Sequence, residues 1–370
     1  MYQQIKQIQQ RTNNKLSINK LKQSCQQQFQ VSPDIFIHLR VGSISEHYKV
    51  GKILGEDDFG QVYKVTHKTT DKVMTMETLK RQSLIKQEEE QLFSEIKILK
   101  NLDHTNILKL IELFQDNKNY YVITEFCSGG DLLAKIIYFK IYTQKMAADF
   151  IKQIHSFLVY CHANNILHRD FKPENLLFDN DFRNANLKVT YFANSIILDI
   201  SKQINYVFLS NLYFIYILKF LIIKRKNYDE KCDIWSCGII LYVILCGYPP
   251  FNVRNKEEIL IKVKAGKLKF DQQDWDKISN DAKNLIIKML NYDPKKRISA
   301  QLALIDQWVQ KNAQSIPINQ RCFKIQICFI EVQKQNRLLI YLLLVRQLIR
   351  KKMKNYKYRL SHQIQMGMEC

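Results

Sequence analysis

His168-Arg169-Asp170-Phe171-Lys172-Pro173-Glu174-Asn175 places a carboxylate, an ammonium and a carboxamide within six residues of one another. An Asp-x-x-x-x-Asn string alone is no more than a turn signal. Its neighbours decide the reading. Upstream lie Leu54-Gly55, Phe59-Gly60-x-Val62, Glu95 in a helical pattern, His104-x-Asn106-Ile107 and Gly129-Gly130-Asp131. Downstream follow Asp233-Ile-Trp235-Ser236-x-Gly238, Gly247-Tyr-Pro249-Pro250-Phe251 and Asp293-Pro294-x-Lys-Arg297. So many short motifs in one order exclude chance assembly.

The hydrophobic periodicity around them changes once along the chain. Val50–Leu54 and Gln61–Lys68 read as a hairpin about Gly55–Gly60, and Val73–Leu79 as a third strand. Ser83–Leu102 has helical spacing at Leu92, Phe93, Ile96 and Leu99. Ile107–Phe114 and Asn119–Glu125 read as two further strands. After Gly129-Gly130 helices are expected over Asp131–Tyr138, Lys145–Asn164, Tyr228–Gly247, Lys256–Gly266, Ser279–Leu290 and Ala300–Lys311. A small β-rich region therefore precedes a larger helical one.

Length and composition set the outer limits. The chain has 370 residues, 46% hydrophobic, and a formal net charge of +21. Residues 1–30 carry five Lys/Arg and no acid, and Lys324–Arg359 carry ten against Glu331 alone. The excess thus belongs to tails and to a Lys/Arg cluster near residues 219–226, not to a folded basic surface, and no nucleic-acid partner is expected. Nine cysteines without CxxC or ligand-like spacing fit a reduced, cytoplasmic protein without zinc or disulfides. Residues 1–47 read as a Gln-rich low-complexity tail with no signal peptide, and Tyr2 excludes the glycine of a myristoylation signal.

Residues 48–192 and 227–311 resemble the serine/threonine protein kinase domain of the calcium/calmodulin-dependent class, closest to calcium-dependent protein kinases. The resemblance implies an α+β, two-lobe fold over residues 48–311, with a small β-rich N-lobe (48–130) and a larger helical C-lobe (131–311). It implies ATP and magnesium as cofactors and a protein substrate or regulatory protein partner. By the same resemblance Asp170 would accept the substrate hydroxyl proton, Lys172 would steady the transferred phosphoryl group, and Asn175 would hold a magnesium ion. Leu54, Gly55, Gly60, Val62, Glu125, Cys127 and Leu177 would line the nucleotide site. Asp131 and Glu174 would favour basic residues before the target Ser/Thr.

Four positions depart from the family pattern. Asp57 fills the middle glycine position of the phosphate loop, followed by Asp58. A carboxylate at ~4 Å from a like charge costs about 1 kcal/mol in water and about 4 at an effective dielectric near 20. Glu77 stands at the lysine that pairs the phosphates and the helix acid, here Glu95, so two carboxylates should face each other. One of them could take a proton, or the helix could swing out. Lys80 points to the opposite strand face and is a poor substitute. Tyr191-Phe192-Ala193 replaces Asp-Phe-Gly: a phenol replaces the magnesium carboxylate at Tyr191 and Ala193 replaces the glycine, while Phe192 and His168 keep their hydrophobic-spine role.

Two segments carry no family likeness. Val207–Ile223 is an apolar run that reads as a buried or aggregation-prone insert (206–226) in preference to a membrane span. The loss of Ala-Pro-Glu there should strand Arg297 without its acid. Residues 312–370 form a basic tail in which Gln333–Lys352 resembles an autoregulatory helix, with no readable EF-hands. Read two nucleotides onward, Gln363–Cys370 gives Asn/Asp-x-Asn/Asp-Gly-x-Gly-Val/Met for every ordinary codon choice, the start of an EF-hand loop. The alternative is a basic helix that binds calmodulin or an acidic membrane surface. Three functions compete: a catalytically impaired pseudokinase acting as scaffold or regulator, an active Ser/Thr kinase, and the product of a decayed or misread gene.

Overall fold

The computed structural model describes residues 39–56, 60–138, 142–198, 229–251, 261–262, 266, 268–315 and 317–318. The Gln-rich segment up to residue 38, Asp57, the 206–226 insert, most of Lys256–Gly266 and the tail from residue 319 lie outside the described residues.

Alternating patterns along the first eighty described residues build one six-stranded sheet. Its strands are β1 (Leu39–Val41), β2 (Tyr48–Glu56), β3 (Gly60–His67), β4 (Val73–Lys80), β5 (Leu110–Gln115) and β6 (Asn119–Glu125). The order is β1-β5-β6-β4-β3-β2. β1 is preceded by the Gln-rich stretch and was expected to belong to the tail. Instead it pairs parallel with β5, Leu39 opposite Leu113, and a short helix α1 (Ile44–His47) leads into β2. The tail boundary at residue 47 is therefore corrected to before Leu39. The physical reason is anchorage: Arg40 bridges Glu112 at 3.3 Å and lies over the Phe114 ring, and the Tyr48 hydroxyl donates to the same Glu112.

One face of the sheet carries a small cluster of Tyr48, Val65, Met76, Phe114, Tyr121 and Ile123. The other packs on helix α2 (Lys86–Lys100) through Leu79, Val122, Leu92, Ile96 and Leu99. The Glu88 carboxylate accepts from the Ile85 N–H, closing the first turn of α2.

The second lobe is helical: α3 (Leu132–Tyr138), α4 (Gln144–Ala163), α5 (Lys231–Cys246), α6 (Gln272–Trp275), α7 (Asn280–Met289) and α8 (Ala300–Leu304). Thr143, Ser279 and Ser299 cap α4, α7 and α8 with their side-chain oxygens. The long helix expected over Ala300–Lys311 is broken: α8 ends at Leu304 and a π-turn takes over at Trp308–Asn312, burying Trp308 and Val309. α5 is apolar on every side and almost wholly buried, as a central helix must be. Gly238 makes that possible, because a Cβ there would lie 2.8 Å from Leu290. The lobe also runs past residue 311, since Ile318 N–H donates to the Tyr142 carbonyl and Lys145 N–H to Gln314.

Short strands β7 (Ile166–Leu167), β8 (Leu176–Phe178), β9 (Leu187–Val189) and β10 (Ile196–Ile197) sit between the lobes. β8 pairs with β9 and β7 with β10, which brackets the His168–Asn175 loop on one side and Tyr191–Ser195 on the other. Asn106 stitches the lobes together, donating to the Leu187 carbonyl and the Gln153 side chain and accepting from Val189 N–H. The two-lobe expectation is met.

Gly60 serves the sheet directly. A Cβ at that position would sit 1.5 Å from the Thr78 carbonyl oxygen. Gly60→Ala is expected to destabilise the full chain by about 1–3 kcal/mol, read as a lowered urea midpoint with unchanged slope.

Candidate functional site between the lobes

The site begins with a buried carboxylate. Asp233, at the start of α5, is 0% exposed. It accepts from the backbone N–H of His168 at 3.0 Å and of Arg169 at 2.9 Å, and from His162 Nε2 at 3.2 Å. Burial alone would raise this carboxyl, but the hydrogen bonds from His162 and from the Arg169 N–H hold it below its ordinary value. Arg169 is thereby kept at φ +63°, a left-handed conformation costly for any residue but glycine, and its Nε donates to the Asn194 carbonyl. Asp233 had been noted only as part of a motif. Its role was missed because one sequence cannot show which carboxylate is buried against which N–H groups.

Fixed in this way, the loop brings its three expected catalytic residues together. Lys172 Nζ lies 3.0 Å from Asp170 Oδ2. Asn175 Nδ2 donates to the Asp170 carbonyl at 2.8 Å and stands 3.5 Å from its carboxylate. All three are buried. Asn175 closes a 3-10 turn over Pro173–Asn175 and accepts the Thr190 N–H, which ties the loop to the next segment.

That segment, Thr190–Ser195, divides as expected between packing and altered chemistry. Phe192 is fully buried, its ring 5.0 Å from His168 and 6.2 Å from Phe157, and Phe171 stacks on Phe157. His168 Nε2 faces the Thr190 carbonyl at 3.2 Å, so that nitrogen carries the hydrogen. Burial pushes the His168 value down and keeps the ring neutral. Tyr191 is exposed, sits at φ +66°, and offers its ring face to the Lys172 ammonium at 5.5 Å. Ala193 follows in a turn, half-buried.

On the sheet side, one rung crosses four strands: Gly55 opposite Val62, Val62 opposite Glu77, Glu77 opposite Val122. Directly opposed residues share a face. Val122 packs with α2, so Glu77 is directed to that side as well. Glu95 on α2 meets it there. Glu95 Oε1 accepts the Phe192 N–H at 2.6 Å. Its carboxyl is raised from 4.5 to about 8, first by burial and then by the charge of Glu77, with the Phe192 N–H acting in the opposite direction. Helix α2 does not swing out: it stays docked, with Glu95 bonded to the Phe192 N–H. Lys80 pairs with Asn119 at the strand end and is exposed.

The remaining lining positions scatter along the same cleft. Leu54 is 41% exposed on β2. Glu125, at the end of β6, bonds the Lys109 N–H at 2.8 Å and bridges Lys188 of β9 at 2.9 Å, a link between lobes that spacing alone could not reveal. Cys127 is half-buried; burial and the Glu125 charge push its thiol up to about 12, so it acts as an apolar wall. Leu177 bridges to Asp131. Asp57 lies outside the described residues, and Gly60 is held by the Thr78 contact.

One expectation is corrected. Arg297 is not stranded: its Nε donates to the Asn291 carbonyl at 3.0 Å, a second nitrogen to the Lys231 carbonyl at 2.6 Å, and its guanidinium lies 4.9 Å above Trp235. It also lowers the Asp229 carboxyl, although burial leaves that group raised overall. Carbonyl dipoles and an indole face take up the charge.

A family model described as "Protein kinase domain" matches residues 48–309. Calcium-dependent protein kinase 4 of Plasmodium falciparum (isolate 3D7) is 42% identical over 284 residues, 75% of this chain and 52% of that protein. Calcium-dependent protein kinase 5 of the same organism is 38% identical over 272 residues, 72% of this chain and 46% of that protein. Calcium-dependent protein kinase 12 of Arabidopsis thaliana is 34% identical over 269 residues, 72% and 54% respectively. The chain spans about half the length of these curated relatives.

Asp233→Ala would leave two buried backbone donors and His162 without their acceptor. It is expected to cost about 3–5 kcal/mol. Chemical denaturation checks the loss, and limited proteolysis should show new cleavage near Arg169.

Proposed function

Because the chain belongs to the protein kinase family, we propose that it acts as a pseudokinase: a kinase-shaped scaffold or regulator that works through its surface and transfers little or no phosphate. The observation that carries this reading is the Glu77–Glu95 pair. A triphosphate needs cations around it, and here the phosphate-facing lysine position holds a carboxylate opposite another. Tyr191 adds to it, since a neutral phenol is a poor ligand for magnesium. Asn175 could still offer its carbonyl oxygen, but one amide does not make the octahedral oxygen set that magnesium prefers. The residues present therefore do not fit ATP with magnesium.

What the loop can still do is limited but defined. Asp170 is buried, charge-paired with Lys172, and aimed by Asn175 and Asp233. It could accept a proton from a hydroxyl brought to it. That intact geometry favours one alternative, an active calcium-dependent-type Ser/Thr kinase working through a rearranged site. Among the described residues no helix is long and apolar enough to cross a membrane. We place the protein in the cytoplasm, with a protein partner as its target. Calmodulin or acidic-membrane contact through the basic tail rests on sequence alone, as does the out-of-frame EF-hand remnant at Gln363–Cys370, which the nucleotide sequence would test.

The full-length protein is expected to show no magnesium-dependent thermal shift with ATP and no phosphorylation of basic Ser/Thr peptides. The double substitution Glu77→Lys, Tyr191→Asp should restore a measurable shift with ATP and magnesium. Wild-type turnover that Asp170→Asn abolishes would overturn the proposal in favour of the active kinase.

A further inference from the structure

Lysine and arginine shortly before a serine or threonine mark it for kinases whose peptide clefts are acidic. Among the described residues, Ser83 and Ser299 are the hydroxyl residues that follow basic side chains at both the third and the second preceding position. The segments are Lys80-Arg81-Gln82-Ser83 and Lys296-Arg297-Ile298-Ser299. The fold separates them.

Ser299 is committed to structure. Its hydroxyl oxygen accepts the Leu302 N–H at 3.3 Å and so caps α8. Arg297 is buried against Trp235, with its nitrogens on two carbonyls. Ser83 is presented instead. Lys80, Arg81, Gln82 and Ser83 are all exposed, and residues 81–83 form a turn outside both β4 and α2. Among the described residues nothing bonds the Ser83 hydroxyl, and its N–H holds the Lys80 carbonyl at 2.9 Å. Extending this turn into an enzyme's cleft costs that bond and two from Arg81, one to the Lys118 carbonyl and one to the Asp116 carbonyl. The ladder of β4 and the turns of α2 are left whole.

We propose that Ser83 is a phosphorylation site for a separate, basic-directed Ser/Thr kinase, and that the phosphate steadies the start of α2. In the transfer a bond forms between Ser83 Oγ and the γ-phosphorus of ATP. The bond from that phosphorus to the β,γ-bridging oxygen breaks, ADP leaves, and the hydroxyl proton passes to the enzyme's base.

The surroundings favour the product. A phosphoserine carries a charge of roughly −1.5 to −2 near neutral pH. Lys80, Arg81 and Lys86 lie within three residues of Ser83, and Lys118 meets the same turn through the Arg81 N–H. The nearest acids on α2 are already engaged, Glu88 by the Ile85 N–H and Glu89 by the Tyr120 hydroxyl. Ile85, the N-cap of this fifteen-residue helix, has a side chain that accepts no hydrogen bond. A phosphate two residues earlier brings to the positive end of the helix the anion that an apolar cap lacks. α2 carries Glu95 and its bond to Phe192, so the modification acts on a helix that lines the cleft. It does so whether or not the chain itself transfers phosphate.

In the test, the full chain is incubated with a purified basic-directed Ser/Thr kinase, magnesium and ATP, and phosphate is mapped by peptide mass spectrometry. Ser83 should take at least tenfold more label than in the chain given ATP alone, and at least tenfold more than Ser299. Arg81→Gln should lower kcat/KM for labelling of Ser83 at least tenfold. Amide exchange reads the second half of the proposal: phosphorylation should slow exchange of the Glu88 and Glu89 amides severalfold, and about 1 M salt should remove the effect. Ser299 labelled as strongly as Ser83 would overturn the assignment of the site. So would a chain left unlabelled at Ser83. A synthetic Met76–Gln91 peptide run beside it would show whether the fold hides the serine or the sequence goes unrecognised. Unchanged or faster exchange at Glu88 and Glu89 in the phosphorylated chain would overturn the action on α2.

Discussion

A carboxylate with no access to water organises the centre of this molecule. Asp233 accepts two consecutive backbone N–H groups and a histidine, and it does so from a helix buried on all sides. Unpaired, such a charge would cost more than most single interactions supply. Paired, it fixes where His168 and Arg169 sit, and so where Asp170 points. The His168–Phe192–Phe157 packing and the Lys172–Asp170 pair both hang from that anchor. The loop therefore keeps its geometry whatever chemistry surrounds it. The geometry is maintained by folding energy, which needs no substrate to maintain it.

The altered positions behave differently from one another because they lie on different supports. Glu77 stands mid-strand, with Val62 and Val122 on either side, so its direction is set by the sheet and it must meet Glu95. There, burial and the Glu77 charge raise the Glu95 carboxyl. Tyr191 stands in a turn at the cleft, where its ring can turn outward to an ammonium and leave Phe192 buried below. That clash is absorbed conformationally. Arg297 meets two carbonyls and an indole face. In each case the fold survives because the site change stays local and finds its own neutraliser.

Much of this was legible in the residues. Alternation gave β3, β4 and β6 to within a residue or two, and the helical patterns gave the starts of α4, α7 and α8 to within one. The motif order implied the two lobes, and the Glu77–Glu95 opposition followed from the resemblance to the kinase family. Other features could not be read. β1 looks like tail because three residues after a Gln-rich stretch show no period; pairing with β5 and the Arg40–Glu112 bridge, about seventy positions apart in the chain, hold it. The break after Leu304 is set by burial of Trp308 and not by any helix breaker. Gly60 looked like a phosphate-loop glycine, yet the Thr78 carbonyl already requires it.

That last point bears on how such a site decays or is repurposed. A glycine required by the sheet is kept whether or not the loop binds phosphate, and so is an aspartate required by the loop's backbone. Glu77 and Tyr191 occupy places where a change of charge leaves the core intact. Residues retained for packing therefore say little about turnover, whereas those free to change say a great deal. Here the free positions bring a second carboxylate and a phenol to a cleft that, for nucleotide chemistry, would need an ammonium and a metal ligand.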